Sequence, residues 1–429
     1  MAVEIALLIT LIGVLMLLRQ PVLVALGAAA LFSYMVWNDG EAKYVVYDIW
    51  EAVNQEILLA IPLFILAAAI MSRGTIAKRL IDLAVEITRP VPGGLAIATV
   101  VSCAFFAAIS GSATVTLLAV GSVMHKALTE NGYSTEFSIG ALCAGGVLGI
   151  IIPPSIPLIL YGVMTDTSIT DLFKAGLGPA AVMVGILAVF AMATNFSRRG
   201  DWTLSPASWI AALRRVSRAS WRAVFALSVP VVMLGGIYQG VFTATEAAAV
   251  AVALALIVEL VVHREMRPSE VWTVTMETAK LLGSLFPVLM FAVSLNILLT
   301  FEQAPQQIVA LMETMIDNKW QFLIAANVLM LVVGMVIDIG SAVLILSPLL
   351  LPIARSYGID PTHFGIIMIV NLGIGYLTPP MGLNLIVAMA AFREDFWTVC
   401  RGVLPFIVLM LAALAIVVLF PQITLFMVS

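Results

Sequence analysis

Two proline pairs, Pro153-Pro154 and Pro379-Pro380, lie inside long apolar runs, and each follows a glycine, Gly149 and Gly375, by four residues. Proline lacks an amide donor and clashes with the preceding turn, so a helix opens at each pair and leaves nearby carbonyls without partners. Bare carbonyl oxygens suit a hard cation such as sodium. Gly149 and Gly375 allow close backbone approach, with the hydroxyls of Ser110 and Thr378 in reach. Beyond each break, the half-helix N-terminus presents partial positive charge and unpaired N–H groups, which suit an anion. The pairing predicts cation-coupled uptake of a small carboxylate, an organic anion.

Other polar residues flank these breaks. Ser112 and Ser341 sit in two small polar clusters, Ser110-Gly111-Ser112 and Asp338-Ile339-Gly340-Ser341, and are candidates for solute contact. Asp338 stands in an apolar stretch, where a carboxylate is costly without a partner. It is suited to binding a cation or a solute hydroxyl, or equally to a salt bridge or cap that holds the hairpin tip. Ser155, Asn371 and Asn384 are candidates to line a cavity, with helix-to-helix hydrogen bonding as the alternative. Glu246 follows Thr243-Ala244-Thr245 and is expected to cap a helix. Glu277 and Lys280 are spaced as an i,i+3 pair. His125, His263 and His363 occur singly at expected helix ends and are read as interfacial.

The elements that must position these residues are membrane helices. The chain is 62% hydrophobic and 11% charged, outside the range of a soluble domain, and runs of about 20 apolar residues recur from end to end. A lipid bilayer is therefore its solvent. Glu4 ahead of the first run, without a basic stretch, marks a retained helix rather than a cleaved signal. Three scattered cysteines make neither a disulfide framework nor a zinc site, and a net charge of −4 gives no support to a nucleic-acid partner. Arg198, Arg199, Arg214, Arg215, Arg218 and Arg222 place 197–222 in the cytoplasm as a basic linker. The segment 73–89, apolar at Ile76, Leu80, Leu83 and Ile87, reads as an interfacial helix on the same side. Residues 39–51 and 302–317 are acid-biased and belong outside.

Spans are expected near 3–18, 21–37, 57–72, 136–164, 172–196, 223–241, 247–262, 281–299, 364–391 and 403–420. Two further apolar stretches, 93–126 and 322–353, are each too long for one crossing and are interrupted by the polar clusters. Full crossings would put the charge anchors on the wrong sides, so both are read as re-entrant hairpins with the clusters at their tips.

The two halves match. Gly111-Ser112-Ala113 pairs with Gly340-Ser341-Ala342 at a separation of 229 residues, and the Gly149 to Pro154 segment pairs with Gly375 to Pro380 at 226. Residues 1–196 form one expected repeat, with hairpin 93–126 and broken helix 136–164. Residues 223–429 form the second, with hairpin 322–353 and broken helix 364–391. A half containing a hairpin crosses the bilayer an odd number of times, so the second copy lies inverted. The expected fold is an all-α polytopic membrane protein of two inverted-topology repeats, the pattern of a secondary transporter.

Several stretches carry a family resemblance: Phe105 to Ser112, Gly149 to Pro157, Thr243 to Ala251, Gly334 to Asp338, Leu350 to Ala354 and Gly375 to Gly382. With them the chain resembles the large membrane (M) subunit, DctM-like, of the tripartite ATP-independent periplasmic (TRAP) transporters. The resemblance implies a bacterial inner-membrane protein working with a small membrane (Q-type) subunit and a periplasmic solute-binding protein, driven by sodium ions through an elevator motion. It also implies two sodium sites, one at Ala107, Ser110, Gly149, Ile152 and Pro154, the other at Gly334, Gly375, Thr378 and Met381. Ala107 stands where the family commonly has serine, leaving a carbonyl only. The rival reading is a stand-alone sodium/carboxylate symporter. An intramembrane hydrolase using Ser110 or Ser112 lacks an evident buried base. Sialic acid, C4-dicarboxylates, other sugar acids and ectoine-like compounds are all admissible solutes.

Overall fold

The computed structural model describes all residues except 1, 19, 38–42, 55, 75, 197–205, 314–315, 317 and 429. Among the described residues every regular element is helical. A first run comprises α1 (Ala2–Leu17), α2 (Val22–Trp37), α3 (Lys43–Val53), α4 (Ala60–Arg73) and α5 (Ile76–Thr88). A second comprises α6 (Gly94–Ser110), α7 (Ala113–Glu130), α8 (Thr135–Val147), α9 (Ile156–Thr165) and α10 (Ile169–Thr194). A third holds α11 (Pro206–Tyr238), α12 (Ala244–Leu256), α13 (Pro268–Phe301) and α14 (Ala304–Glu313). The last holds α15 (Lys319–Gly334), α16 (Ile339–Ser356), α17 (Pro361–Gly375), α18 (Leu383–Phe392), α19 (Phe396–Leu419) and the short α20 (Gln422–Leu425).

Packing sorts these runs into two bodies. α4 lies on α12, α5 on α11 and α2 on α13, so the first and third runs form one of them, joined to the other through α5 on α6, α13 on α16 and a continuous apolar core. In the other body α8 packs on α19 and α7, α15 on α17, and α9 on α16, uniting the second and fourth runs. The chain thus alternates between the bodies, and α5 and α11 are the elements next to two of its passages.

Among the described residues seven helices are long and apolar enough to cross a membrane, including Ile169–Thr194, Pro268–Phe301 and Phe396–Leu419. α9 and α18 are not. At ten residues each they rise only about 15 Å, half of the hydrocarbon core of about 30 Å. Both follow a proline pair. α8 gives way to a 3₁₀ turn at Leu148–Ile150 and irregular backbone before α9, and α17 ends at Gly375 before the gap to α18. α6 and α7 fold against each other around Gly111, as α15 and α16 do around 335–338.

Some sequence expectations change. The helix expected from 223 begins at Pro206, so the basic segment feeds straight into a span. Arg198, Arg199, Asp39 and Asp317 lie outside the described residues. The acid-biased segments expected outside contain the short helices α3 and α14. Glu277 does not pair with Lys280. It meets Arg73 across helices at 2.6 Å, because α13 runs beside the end of α4. His363 is buried, with Nδ1 2.8 Å from the Thr424 hydroxyl, rather than interfacial. Glu246 takes the expected capping role, in a capping box with Thr243.

Candidate ion and solute site

The first break lies against the tip of the first hairpin. Gly111 turns the chain between α6 and α7 with φ of 60°, a left-handed conformation that favours glycine. Its α-carbon faces the carbonyl of Pro154, where an added Cβ would be 2.7 Å from the oxygen. Gly149 faces the same tip. A Cβ there would collide with the Ser112 carbonyl oxygen and lie 2.6 Å from Thr116 Oγ1. Ser110 Oγ lies 2.6 Å from Thr116 Oγ1, and the Thr116 hydroxyl donates to the Ser112 carbonyl at 2.9 Å. Ser110, Thr116, Ser112 and Pro154 therefore bring two hydroxyls and two carbonyls to one buried junction.

The sequence alone does not single out Thr116, which lies beyond the tip. Helical side chains tilt toward the N-terminus, so a hydroxyl one turn into α7 reaches back to the tip. Its position four residues after Ser112 was the available signal. Ala107 is wholly buried at the end of α6, and its carbonyl accepts the Gly111 amide at 3.4 Å. The Ile152 amide is tied to Leu148 O at 2.9 Å. Ser112 Oγ lies 3.2 Å from Thr114 Oγ1. Ser155 is buried and committed: its hydroxyl donates to Ile150 O at 2.5 Å and accepts the Leu158 amide as N-cap of α9.

The second break is closed by backbone contact. A Cβ on Gly375 would lie 2.5 Å from the Gly334 carbonyl carbon, so α15 and α17 touch through these two glycines. The Thr378 hydroxyl donates to Ile374 O at 2.8 Å. Met381 sits in the following turn, 51% exposed. Asp338 is exposed and caps α16 by accepting the Ser341 amide at 2.9 Å, while Ser341 is buried. Tyr376, another residue the sequence reading missed, accepts the Ile339 amide at 2.8 Å and ties this hairpin to the break.

The two breaks are also adjacent. Asn384, wholly buried in α18, donates from Nδ2 to Cys143 O of α8 at 3.2 Å. Its Oδ1 is buried with no hydrogen-bond partner, as is Oδ1 of Asn371, whose Nδ2 donates to Asn327 Oδ1 at 2.6 Å. Orphaned buried acceptors are uncommon and mark places for water or ligand. Among the described residues no cluster of three His, Cys, Asp or Glu is placed to hold a metal, so oxygen from carbonyls and hydroxyls is the ligand chemistry on offer.

The sequence matches the family model for the tripartite ATP-independent periplasmic transporter, DctM component, over residues 8–423. It is 38% identical over 406 residues to the isethionate TRAP transporter permease protein DctMQ of Oleidesulfovibrio alaskensis, a match covering 95% of this chain and 63% of that longer protein. It is 37% identical to the C4-dicarboxylate TRAP transporter large permease protein DctM of Pseudomonas aeruginosa, covering 94% of this chain and 93% of the relative. The fold is similar to that of the YdaH transporter of Alcanivorax borkumensis, with a TM-score of 0.63 at 14% identity over 90% of each chain.

Proposed function

The chain belongs to the DctM component family of tripartite ATP-independent periplasmic transporters, and from that membership we propose that it is the large subunit of a sodium-coupled uptake system for a small carboxylate-bearing solute. The observation that carries the coupling is the oxygen cluster between the first hairpin and the first break. A sodium ion there takes the Ser112 and Pro154 carbonyls with the Ser110 and Thr116 hydroxyls, and Gly149 leaves the room. The second ion lies at Gly334, Gly375, Thr378 and Met381. The solute contacts Ser112, Ser341 and Asn384, whose buried Oδ1 supports this assignment. Relatives named for C4-dicarboxylate and isethionate support a small organic anion.

Delivery comes from a periplasmic binding protein, and a small Q-type membrane subunit completes the complex in the bacterial inner membrane. The relative whose name joins M and Q in one longer chain supports the second partner. The body holding both hairpins moves past the other, carrying ions and solute together. The alternation of the chain between two sets of helices, with the matching halves of the sequence, supports that elevator motion.

The test is uptake by proteoliposomes containing this chain and its small subunit, with candidate binding proteins, with and without a sodium gradient. Accumulation should need both the binding protein and sodium. Uptake without any binding protein contradicts the tripartite reading, and uptake indifferent to sodium contradicts the ion sites.

A further inference from the structure

A cleft of about 680 Å³ lies between α5 and α11, away from both breaks, and Lys78, Arg79, Arg215, Arg218 and Arg222 line it. Three carboxylates share it, Asp82, Glu86 and Glu265. Arg79 pairs with Glu265 at 3.5 Å. Arg215 Nε lies 3.3 Å from Glu86 Oε2, yet the two are not aligned to hydrogen-bond, and both atoms are buried. No carboxylate among the described residues lies within ion-pair distance of Lys78, Arg218 or Arg222. The cleft therefore keeps a cationic surplus inside a space of ordinary ligand size.

Its surroundings are those of a membrane interface. α5 is the amphipathic helix with its apolar face on the core and its charges outward. Residues 215, 218 and 222 repeat at i, i+3 and i+7 on one face of α11, near the start of its span at Ala212. Trp221 beside them is 78% exposed, and Leu213 and Phe225 are exposed as well. Exposed tryptophan next to cations at the end of a span is the pattern of headgroup depth on the cytoplasmic side.

The geometry points to this cleft as a binding site for the phosphate of an anionic phospholipid headgroup, held by Lys78, Arg218 and Arg222 while its acyl chains lie along Trp221 and Phe225. A headgroup there joins α5, which leads into the first hairpin, to α11, which follows the link from α10. It fastens two passages between the bodies to the cytoplasmic leaflet. Sodium coupling and solute identity play no part in this inference.

The test is native mass spectrometry of the delipidated full chain in detergent, titrated with phosphatidylglycerol, phosphatidylcholine or inorganic phosphate. One phosphatidylglycerol per chain should be retained, with phosphatidylcholine and inorganic phosphate failing to bind or compete. The triple variant Lys78→Gln, Arg218→Gln, Arg222→Gln should weaken retention on the order of 100-fold, and Lys78→Gln alone about fivefold. Arg218→Lys with Arg222→Lys, which keeps the charge, should retain the lipid and guards against misfolding of the triple variant. Equal retention of phosphatidylcholine, or undiminished retention in both Gln variants, overturns the proposal. Displacement by inorganic phosphate at equal concentration overturns the lipid assignment in favour of a soluble anion.

Discussion

Gly149→Ala isolates the contact on which the first ion site depends. The added methyl lies 2.8 Å from the Ser112 carbonyl carbon and 2.6 Å from Thr116 Oγ1. Relaxing to ordinary contact of about 3.5 Å requires the tip and the break to part by roughly 0.9 Å or more. Overpacking of this kind costs about 1–3 kcal/mol. Because the displaced groups are the proposed ligands, the cost falls on the ion-bound state, and about 1.4 kcal/mol is already tenfold in affinity. The assay is the sodium dependence of the melting temperature of the purified chain, since an ion that binds only the folded state stabilises it with rising concentration. The midpoint concentration should rise about tenfold or more against wild type, with choline giving no response in either. Gly185→Ala, on α10 with nothing within 4 Å of its added methyl, should leave the midpoint where it was. A Gly149→Ala variant that remains folded with an unchanged midpoint would refute the placement of sodium at this junction.

Thr116→Val removes the hydroxyl that joins Ser110 to the Ser112 carbonyl. It should cost about 1–3 kcal/mol in chemical unfolding and weaken the sodium response. Asp338→Ala should lose about 1 kcal/mol with its N-cap, whereas Asp338→Asn keeps an acceptor for the Ser341 amide. Uptake surviving in the Asn variant assigns Asp338 to the hairpin, and uptake lost with stability intact assigns its charge to binding. Arg73→Ala removes a short but half-exposed ion pair with Glu277. Solvent screening should hold the loss below about 1 kcal/mol, shrinking further at high salt in the same melting assay.

Glycine and proline state their backbone consequences in the sequence itself, which is why the breaks at 149–154 and 375–380 and the turn at Gly111 were legible. The roles of Thr116 and Tyr376 were not. Each acts on backbone brought close by tertiary folding, Tyr376 reaching from the break to the amide of Ile339. Local spacing gives no account of such a partner. Ser155 is the opposite case: a polar residue beside a break looks available, but the opened helix behind it needs an N-cap and takes its hydroxyl. Glu277 failed for a related reason, since its i,i+3 neighbour competes with an arginine delivered by another helix. The long α11 shows a further limit. Charge leads to the expectation of a cytoplasmic linker over 197–222 but does not say that its later part is helical.

The adjacency of the breaks decides what can move. Gly373 sits against Val147 and Ile150, where an added Cβ would be 2.7 and 2.6 Å from their side chains. Asn384 bonds Cys143 O, and the Tyr161 hydroxyl donates to Pro361 O at 2.7 Å. Close-packed contacts of this kind do not slide without losing their fit, so any movement carries both breaks as one unit. In the elevator motion proposed above, displacement falls at the boundary between the bodies, which includes the contact of α16 with α13, where a Cβ on Gly340 would be 3.8 Å from Leu285 Cδ1. Leu285→Cys with Gly340→Cys, joined by a short bifunctional thiol reagent, spans that boundary. Cross-linking should abolish uptake in the reconstituted system, and reversal of the link should restore it. A pair inside the moving body, Phe322→Cys with Tyr357→Cys, whose rings stack at 5.5 Å, should transport whether linked or not. Full uptake by the linked 285–340 protein would mean that the hairpin body does not move past α13, and the division into a fixed and a moving body would fail with it.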